Sequence, residues 1–216
     1  MKKIAILGAS GHGKVVAEIA ELNGFDEIVF FDDAWTVNDR EAARADFPWQ
    51  LVGNTESLLT CLRDFEACAV GIGNNGARWE KLTALKRAGA RLTPLIHPAA
   101  TVSKYADLGE GSVVMANAVI NPFVKIGEAC IVNTSSSIDH DCVLEHAVHV
   151  CPGANLAGGV EVGSESWVGI GSSVRQYLRI GSAVTVGAGA AVIKDVTDNQ
   201  TVVGIPARSQ SVRSEI

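Results

Sequence analysis

Three histidines fall within ten residues, at His140, His146 and His149. The first sits between two acids, in Asp139-His140-Asp141. A carboxylate on one imidazole nitrogen fixes the tautomer and makes the other nitrogen more basic, which is how a general base is made. No nearby cysteine or histidine completes a tetrahedral ligand set, so a base is expected here and no metal. Gly158-Gly159 follows eighteen residues after His140. Backbone N–H groups without side chains to shield them suit a developing oxyanion. His146 reads as an ordinary surface residue. His149 alternates outward between Val148 and Val150 and should face solvent or a neighbouring subunit.

A second set lies near the start. Gly8-Ala-Ser-Gly-His-Gly13 joins an apolar run to a helical pattern. Its opening resembles a Walker A loop, but Val15 stands where Ser or Thr must hold magnesium. The spacing is also not that of the dinucleotide fingerprint. What survives is general. Glycines at a strand-to-helix turn let N–H groups meet a phosphate at the positive end of a helix. Gly11, His12 and Gly13 are therefore candidate ligand contacts. Asp32 and Asp33 close the next apolar run, where a carboxylate can bind a ribose hydroxyl or another sugar-side donor. His97, beside Pro98, reads as structural.

The elements that must carry these residues are of two kinds. From Ile96 to Val192, every sixth residue is aliphatic, seventeen times without exception. The residue two before each is small or apolar, through Cys130 and Cys142 to Val196. A hexapeptide period marks a parallel β-helix. Three hexads make one triangular coil, with successive coils about 4.8 Å apart. The residue after each aliphatic is often Gly, Asn or Asp (Gly109, Gly127, Asn133, Asp139, Gly163, Gly181, Gly187), which is expected to serve positive φ at the corners. In this register His140 and Gly158 share one corner, one coil apart. The crossover rule for parallel strands would favour a right-handed coil.

Residues 1–95 alternate differently. Strands are expected at Lys3–Leu7, Ile28–Phe31, Leu51–Val52 and Ala67–Ile72. Helices are expected after Gly13 (with Val15, Val16, Ile19, Ala20 and Leu22 on one face), from Thr55 to Leu62 and from Ala77 to Ala88. This is a Rossmann-like parallel sheet. Ala34 to Pro48 reads as a loop. The domains are thus 1–95, the β-helix 96–197 and a tail 198–216. Net charge is −6, without a basic run, which argues against nucleic acid and anionic membrane. The apolar start breaks at Gly8, too early for a signal peptide, and no run approaches a spanning helix. Five cysteines without CxxC spacing fit a reduced cytoplasm.

The whole chain resembles the bacterial sugar acetyltransferases of the hexapeptide-repeat superfamily, which acetylate UDP-4-amino-sugars, perosamine or sialic acid. The resemblance is carried by Gly8-Ala-Ser-Gly-His-Gly13, Phe31-Asp-Asp33, Gly71-Ile-Gly-Asn-Asn75, Asn133-Thr-Ser-Ser, Asp139-His-Asp141, His149-Val150, Ala157-Gly158 and Val203-Gly-Ile-Pro-Ala-Arg208. It implies a left-handed coil, a homotrimer with active sites between subunits, acetyl-CoA along the β-helix and a nucleotide sugar on the first domain. His140 then matches the base and Asp141 its acidic support, often Glu in relatives, with Asp139 able to share that role. Asn133 matches a residue near the acceptor amine, His149 one near the acetyl group, and Gly158 the donor to the thioester carbonyl. Gly11, His12, Gly13, Asp32, Asp33, Gly73, Asn74 and Asn75 match the nucleotide-sugar side. Ile170, Gly171, Gly187 and Ala188 match the pantetheine arm; Lys194, Gly204, Ile205, Pro206 and Arg208 match the distal end of CoA.

The implied reaction is acetylation of the C4 amine of a UDP-linked 4-amino-4,6-dideoxy sugar. Rivals are GDP-perosamine N-acetylation, sugar O-acetylation of sialic-acid type, and a non-catalytic nucleotide-sugar-binding β-helix. A sugar nucleotidyltransferase would need a longer first domain with a basic triphosphate loop.

Overall fold

The computed structural model describes residues 1–34 and 47–210. Most of the expected loop at 34–48 lies outside the described residues. The chain divides into two compact units, Met1–Pro98 and a second beginning at Ala99.

In the first unit, β1 (Lys3–Leu7), α1 (Gly11–Leu22), β2 (Glu27–Phe31), β3 (Gln50–Gly53), α2 (Thr55–Thr60), β4 (Ala67–Val70) and α3 (Asn75–Arg87) follow in order. The sheet runs β3-β2-β1-β4, all parallel. Four of the five residues in both β1 and β2 are buried, as continuous apolar runs in a covered parallel sheet should be. Helix α1 buries Gly13, Val16, Ala17, Ile19 and Ala20, whereas Val15 and Leu22 are exposed, so its apolar face is turned from the one expected. Asn74 caps α3, accepting from the Ala77 N–H at 2.9 Å, and α3 therefore starts two residues before the expected Ala77.

The second unit is a left-handed parallel β-helix of two-residue strands. Its first face stacks Thr101–Val102, Val119–Ile120, Ser137–Ile138, Asn155–Leu156, Ser173–Val174 and Ala191–Val192. A second face stacks Asp107–Leu108 through Arg179–Ile180, and a third includes Val113–Val114, Ile131–Val132, His149–Val150, Trp167–Val168 and Thr185–Val186. Pairing advances eighteen residues per coil, for example Ser137 to Asn155 to Ser173. The repeating aliphatic residues from Val114 to Val192 are all buried.

Two details depart from expectation. The left-handed backbone falls not on the residue after each aliphatic but three after it, at Asn117, Phe123, Ala129, Ser135, Asp141, Ala147, Gly153, Gly159, Glu165, Gly171, Tyr177, Ala183 and Gly189. Gly109, Gly127, Gly163 and Gly181 serve close stacking instead. A Cβ on Gly127 would stand 2.6 Å from the Glu145 carbonyl carbon, and one on Gly163 2.6 Å from that of Gly181. The last coil is also two residues short. Val196 bridges Ile180 and Val202 pairs with Val186, so Val196 takes the aliphatic position rather than the one before it.

Candidate active site

At the corner after the first face, His140 follows Ile138 by two residues. Its Nδ1 lies 2.7 Å from Asp141 Oδ2, with the imidazole half exposed. Asp139 points elsewhere. Its Oδ1 accepts from the His140 backbone N–H and from Asn121 Nδ2, both at 2.8 Å, which holds its carboxyl below the usual range. Of the two acids that the resemblance left open, Asp141 is the one in contact with the imidazole. The Asp141 hydrogen bond raises the His140 pKa above its ordinary value, with the nearby charges of Asp139 and Asp141 adding to it. Nδ1–H donates to Asp141, leaving Nε2 as the basic atom.

Gly158 stacks under this ring. A Cβ there would stand 2.6 Å from His140 Cε1 and Nε2. At some corresponding places the N–H is capped by a side chain, Thr134 by Asn133, His140 by Asp139, Ser164 by Glu145 and Ser182 by Asp198, while at Ala116, Ile170 and Gln176 no side chain among the described residues caps it. The Gly158 N–H has no such acceptor among the described residues. The Gly158–Gly159 peptide is fixed on both sides, Gly159 N–H to His140 C=O at 2.9 Å and Tyr177 N–H to Gly158 C=O at 3.0 Å. An open cleft of about 370 Å³ adjoins this corner, lined by Asn121, Ser137, Asp139 and Asn155 among others.

The other candidates of the β-helix stand apart from His140. Asn133, Ile170, Gly171, Gly187 and Ala188 share the corner after the third face. His149, expected to face solvent or a neighbouring subunit, is covered by residues of its own chain. It is 6% exposed, with Nε2 2.9 Å from Asn133 Nδ2 and its ring 4.3 Å from that of Trp167. Lys194 falls in the His140 column of the first corner, two residues after Val192. Gly204, Ile205 and Pro206 form the turn joining Thr201–Val203 to the antiparallel strand that includes Arg208. One copy of the chain thus brings His140, Asp141 and Gly158 together, and Asn133 with His149, but not the two groups.

In the first unit, α1 begins without a side-chain cap from Ser10 and without an acid in its first turn. Its N–H groups at Gly11, His12 and Gly13 keep the character of an anion site. A Cβ on Gly11 would meet nothing, while one on Gly13 would strike the Gly8 carbonyl, so Gly13 serves backbone packing. His12 is held neutral near neutral pH, its pKa lowered to about 4 by burial and by the charge of Arg78. Its Nε2 is buried without a partner among the described residues.

Several acceptors expected to face a ligand are engaged internally. Asp32 accepts from the N–H groups of Ala9 (2.6 Å) and Ala34 (2.8 Å). Asp33 accepts from Thr55 N–H, Thr55 Oγ1 and Lys81 Nζ, all at 2.7 Å. Asn74 is a helix cap, and Asn75 is buried with its Oδ1 2.8 Å from Arg78 Nη2. A helix start and a buried guanidinium each need acceptors, and these residues supply them. Arg78, 1% exposed, also donates to Gly73 C=O at 2.8 Å and so shapes the loop beside His12. On sequence it reads as one more cation of an exposed helix, and nothing in its spacing marks it.

Residues 3–85 match the family model of the PglD N-terminal domain. The acetyltransferase domain of PglB from Neisseria gonorrhoeae, solved with acetyl coenzyme A, is 42% identical over 97% of this chain and 99% of that one, with a TM-score of 0.89. The chain belongs to this family of hexapeptide-repeat sugar N-acetyltransferases. PerB from Caulobacter crescentus, solved with CoA and GDP-perosamine, is another such acetyltransferase, 34% identical over 98% of each chain with a TM-score of 0.88. A curated relative, UDP-N-acetylbacillosamine N-acetyltransferase from Bacillus subtilis, is 35% identical over 54% of this chain and 52% of that one, so the match spans about half its length. No group of three or more metal-ligating side chains is found in this acetyltransferase-family chain, and no helix is long and apolar enough to cross a membrane, among the described residues.

Proposed function

We propose that this chain transfers acetyl from acetyl-CoA to the C4 amine of a nucleotide-linked 4-amino-4,6-dideoxy sugar, with UDP as carrier and GDP as the alternative. The observation that carries the reading is the 2.7 Å contact of His140 Nδ1 with Asp141, above a Gly158 whose N–H is left open. His140 Nε2 takes a proton from the amine as it attacks the thioester carbon. The C–S bond then breaks, and the sulfur leaves as CoA thiol with a proton. The Gly158 N–H stabilises the oxyanion of the tetrahedral intermediate. Asn133 and His149 serve the acceptor and acetyl ends from a second copy of the chain, in a homotrimer. The first unit holds the nucleotide, at the α1 N-terminus beside His12. The five cysteines are free, which accords with a cytoplasmic setting.

The test offers the purified protein acetyl-CoA with UDP- and GDP-linked 4-amino-sugars and sialic acid, and reads free CoA. His140→Ala should lower turnover roughly 10²–10⁴-fold with the assembly intact. Turnover within a few-fold of wild type would remove His140 as base. Release of CoA with sialic acid alone would move the reaction to O-acetylation.

A further inference from the structure

The His140 side chain is half exposed, so packing alone does not hold it. Its backbone is held on both sides instead. The His140 N–H donates to Asp139 Oδ1 at 2.8 Å, and the His140 C=O accepts from the Gly159 N–H at 2.9 Å. The second bond joins the base to the coil that carries Gly158. The first leads back to the coil before. Asn121 follows Ile120 as Asp139 follows Ile138, and these two aliphatics are paired on adjacent strands. Asn121 Nδ2 donates to the same Asp139 Oδ1 at 2.8 Å. A chain of hydrogen bonds therefore runs from Asn121 through Asp139 and His140 to Gly159, across three coils.

Capping the next N–H does not by itself require a carboxylate. Asn133 caps Thr134 at 2.8 Å through an amide oxygen, a local bond that short polar side chains make readily. What sets Asp139 apart is the second donor. A carboxylate at a corner can swing into solvent, but an oxygen that holds two donors moves only when both bonds break. Asn121 is itself anchored, its N–H donating to Ile138 C=O at 3.0 Å. The imidazole meanwhile takes its partner from Asp141.

We infer that Asn121 is a positioning residue for the base: it locks Asp139, and Asp139 locks the His140 backbone so that Nε2 stays over Gly158. The inference rests on the acetyl-transfer reading above. It divides the two acids by task, Asp141 on the ring and Asp139 on the backbone. A misplacement of about 1 Å in a reacting group is enough to cost roughly a hundredfold in rate. Asn121 and Asp139 also line the cleft of about 370 Å³. Direct contact with the acceptor is therefore the rival that the experiment separates.

The experiment compares wild type with Asn121→Ala, Asp139→Ala and Asp139→Asn, using acetyl-CoA and the UDP- or GDP-linked 4-amino-sugar that wild type turns over. Asn121→Ala should lower kcat about tenfold and leave both KM values within about twofold. Its acid limb should stay in place, because both carboxylates remain. Asp139→Ala should lower kcat about thirtyfold. Asp139→Asn should return to within about threefold of wild type, because an amide oxygen still accepts from both donors. An unchanged kcat in Asn121→Ala and Asp139→Ala would overturn the positioning role. A loss carried by the acceptor KM, with Asp139→Asn no better than Asp139→Ala, would overturn it too and make Asp139 a contact for the amine. Loss of assembly in Asn121→Ala would overturn it as well and make the pair a prop of the fold. Amide exchange reads the tie without turnover: the His140 N–H should exchange about tenfold faster in Asn121→Ala. Faster exchange with wild type inactive on every amino-sugar would overturn the acetyl-transfer reading and leave the tie standing. Unchanged exchange would overturn the tie itself.

Discussion

At the scale of single residues, the proposed reaction turns on whether His140 carries a proton on Nε2. Its imidazole is half exposed, so the Asp141 hydrogen bond, rather than burial, dominates its shift upward from 6.5. A general base must be neutral, so kcat/KM should fall as pH drops through a midpoint above 6.5. Asp141→Asn withdraws the charge that stabilises the imidazolium, and the acid limb should move down toward 6.5. An acid limb that stays in place would take Asp141 out of the site. Gly158→Ala tests the other half. The added methyl would lie 2.6 Å from Nε2, so the ring must swing away from its position. Turnover should fall roughly a hundredfold or more, with little change in thermal midpoint because the ring is free to move into solvent. Turnover close to wild type would show that a bare backbone at 158 is not needed. Asp-His-Asp and the glycine eighteen residues later are legible in sequence because chemistry and register both mark them. Asp33 is not, since a carboxylate at a strand end looks free until the helix it ties is folded beside it.

At the scale of elements, the β-helix uses glycine for two separate purposes. Gly171 sits at φ of 64° with open space where a Cβ would go. Gly171→Ala should therefore cost only strain, about 1–2 kcal/mol. Gly127 has no such φ, yet its Cβ would meet the backbone of Glu145 at 2.6 Å. Gly127→Ala must push neighbouring coils apart and should cost about 3 kcal/mol or more. Urea midpoints of the two variants measure the difference, and the reverse order would show that backbone conformation, not stacking, governs these corners. Hexad spacing locates the corners but not the left-handed residue within them. Glycine, asparagine and aspartate recur at both places, and Phe123, Glu165 and Tyr177 occupy the strained one without a compositional sign.

At the scale of the whole molecule, one copy holds two half-equipped corners. His140, Asp141 and Gly158 stand at one, and Asn133 with His149 at another. If the site joins them across copies, His140→Ala and Asn133→Ala should each be nearly inactive alone. Co-expressed and purified together, they should recover measurable turnover, because mixed assemblies contain corners with both residues intact. No recovery, with mixed assembly verified by mass, would confine the site to one chain. The order of residues alone dictates the coil, its period and the stacking of His140 on Gly158, since an unbroken hexad admits only one register of buried aliphatics. It also dictates the parallel α/β unit, through continuous apolar strands alternating with helices. What depends on partners distant in sequence is settled only by folding. The folded chain sets Asp141 rather than Asp139 against the His140 ring, buries His149 between Asn133 and Trp167, ties Asp33 to Lys81 and Thr55, and hides Arg78 beside His12. Periodicity fixes which way a side chain points; only the folded neighbours fix what it meets there.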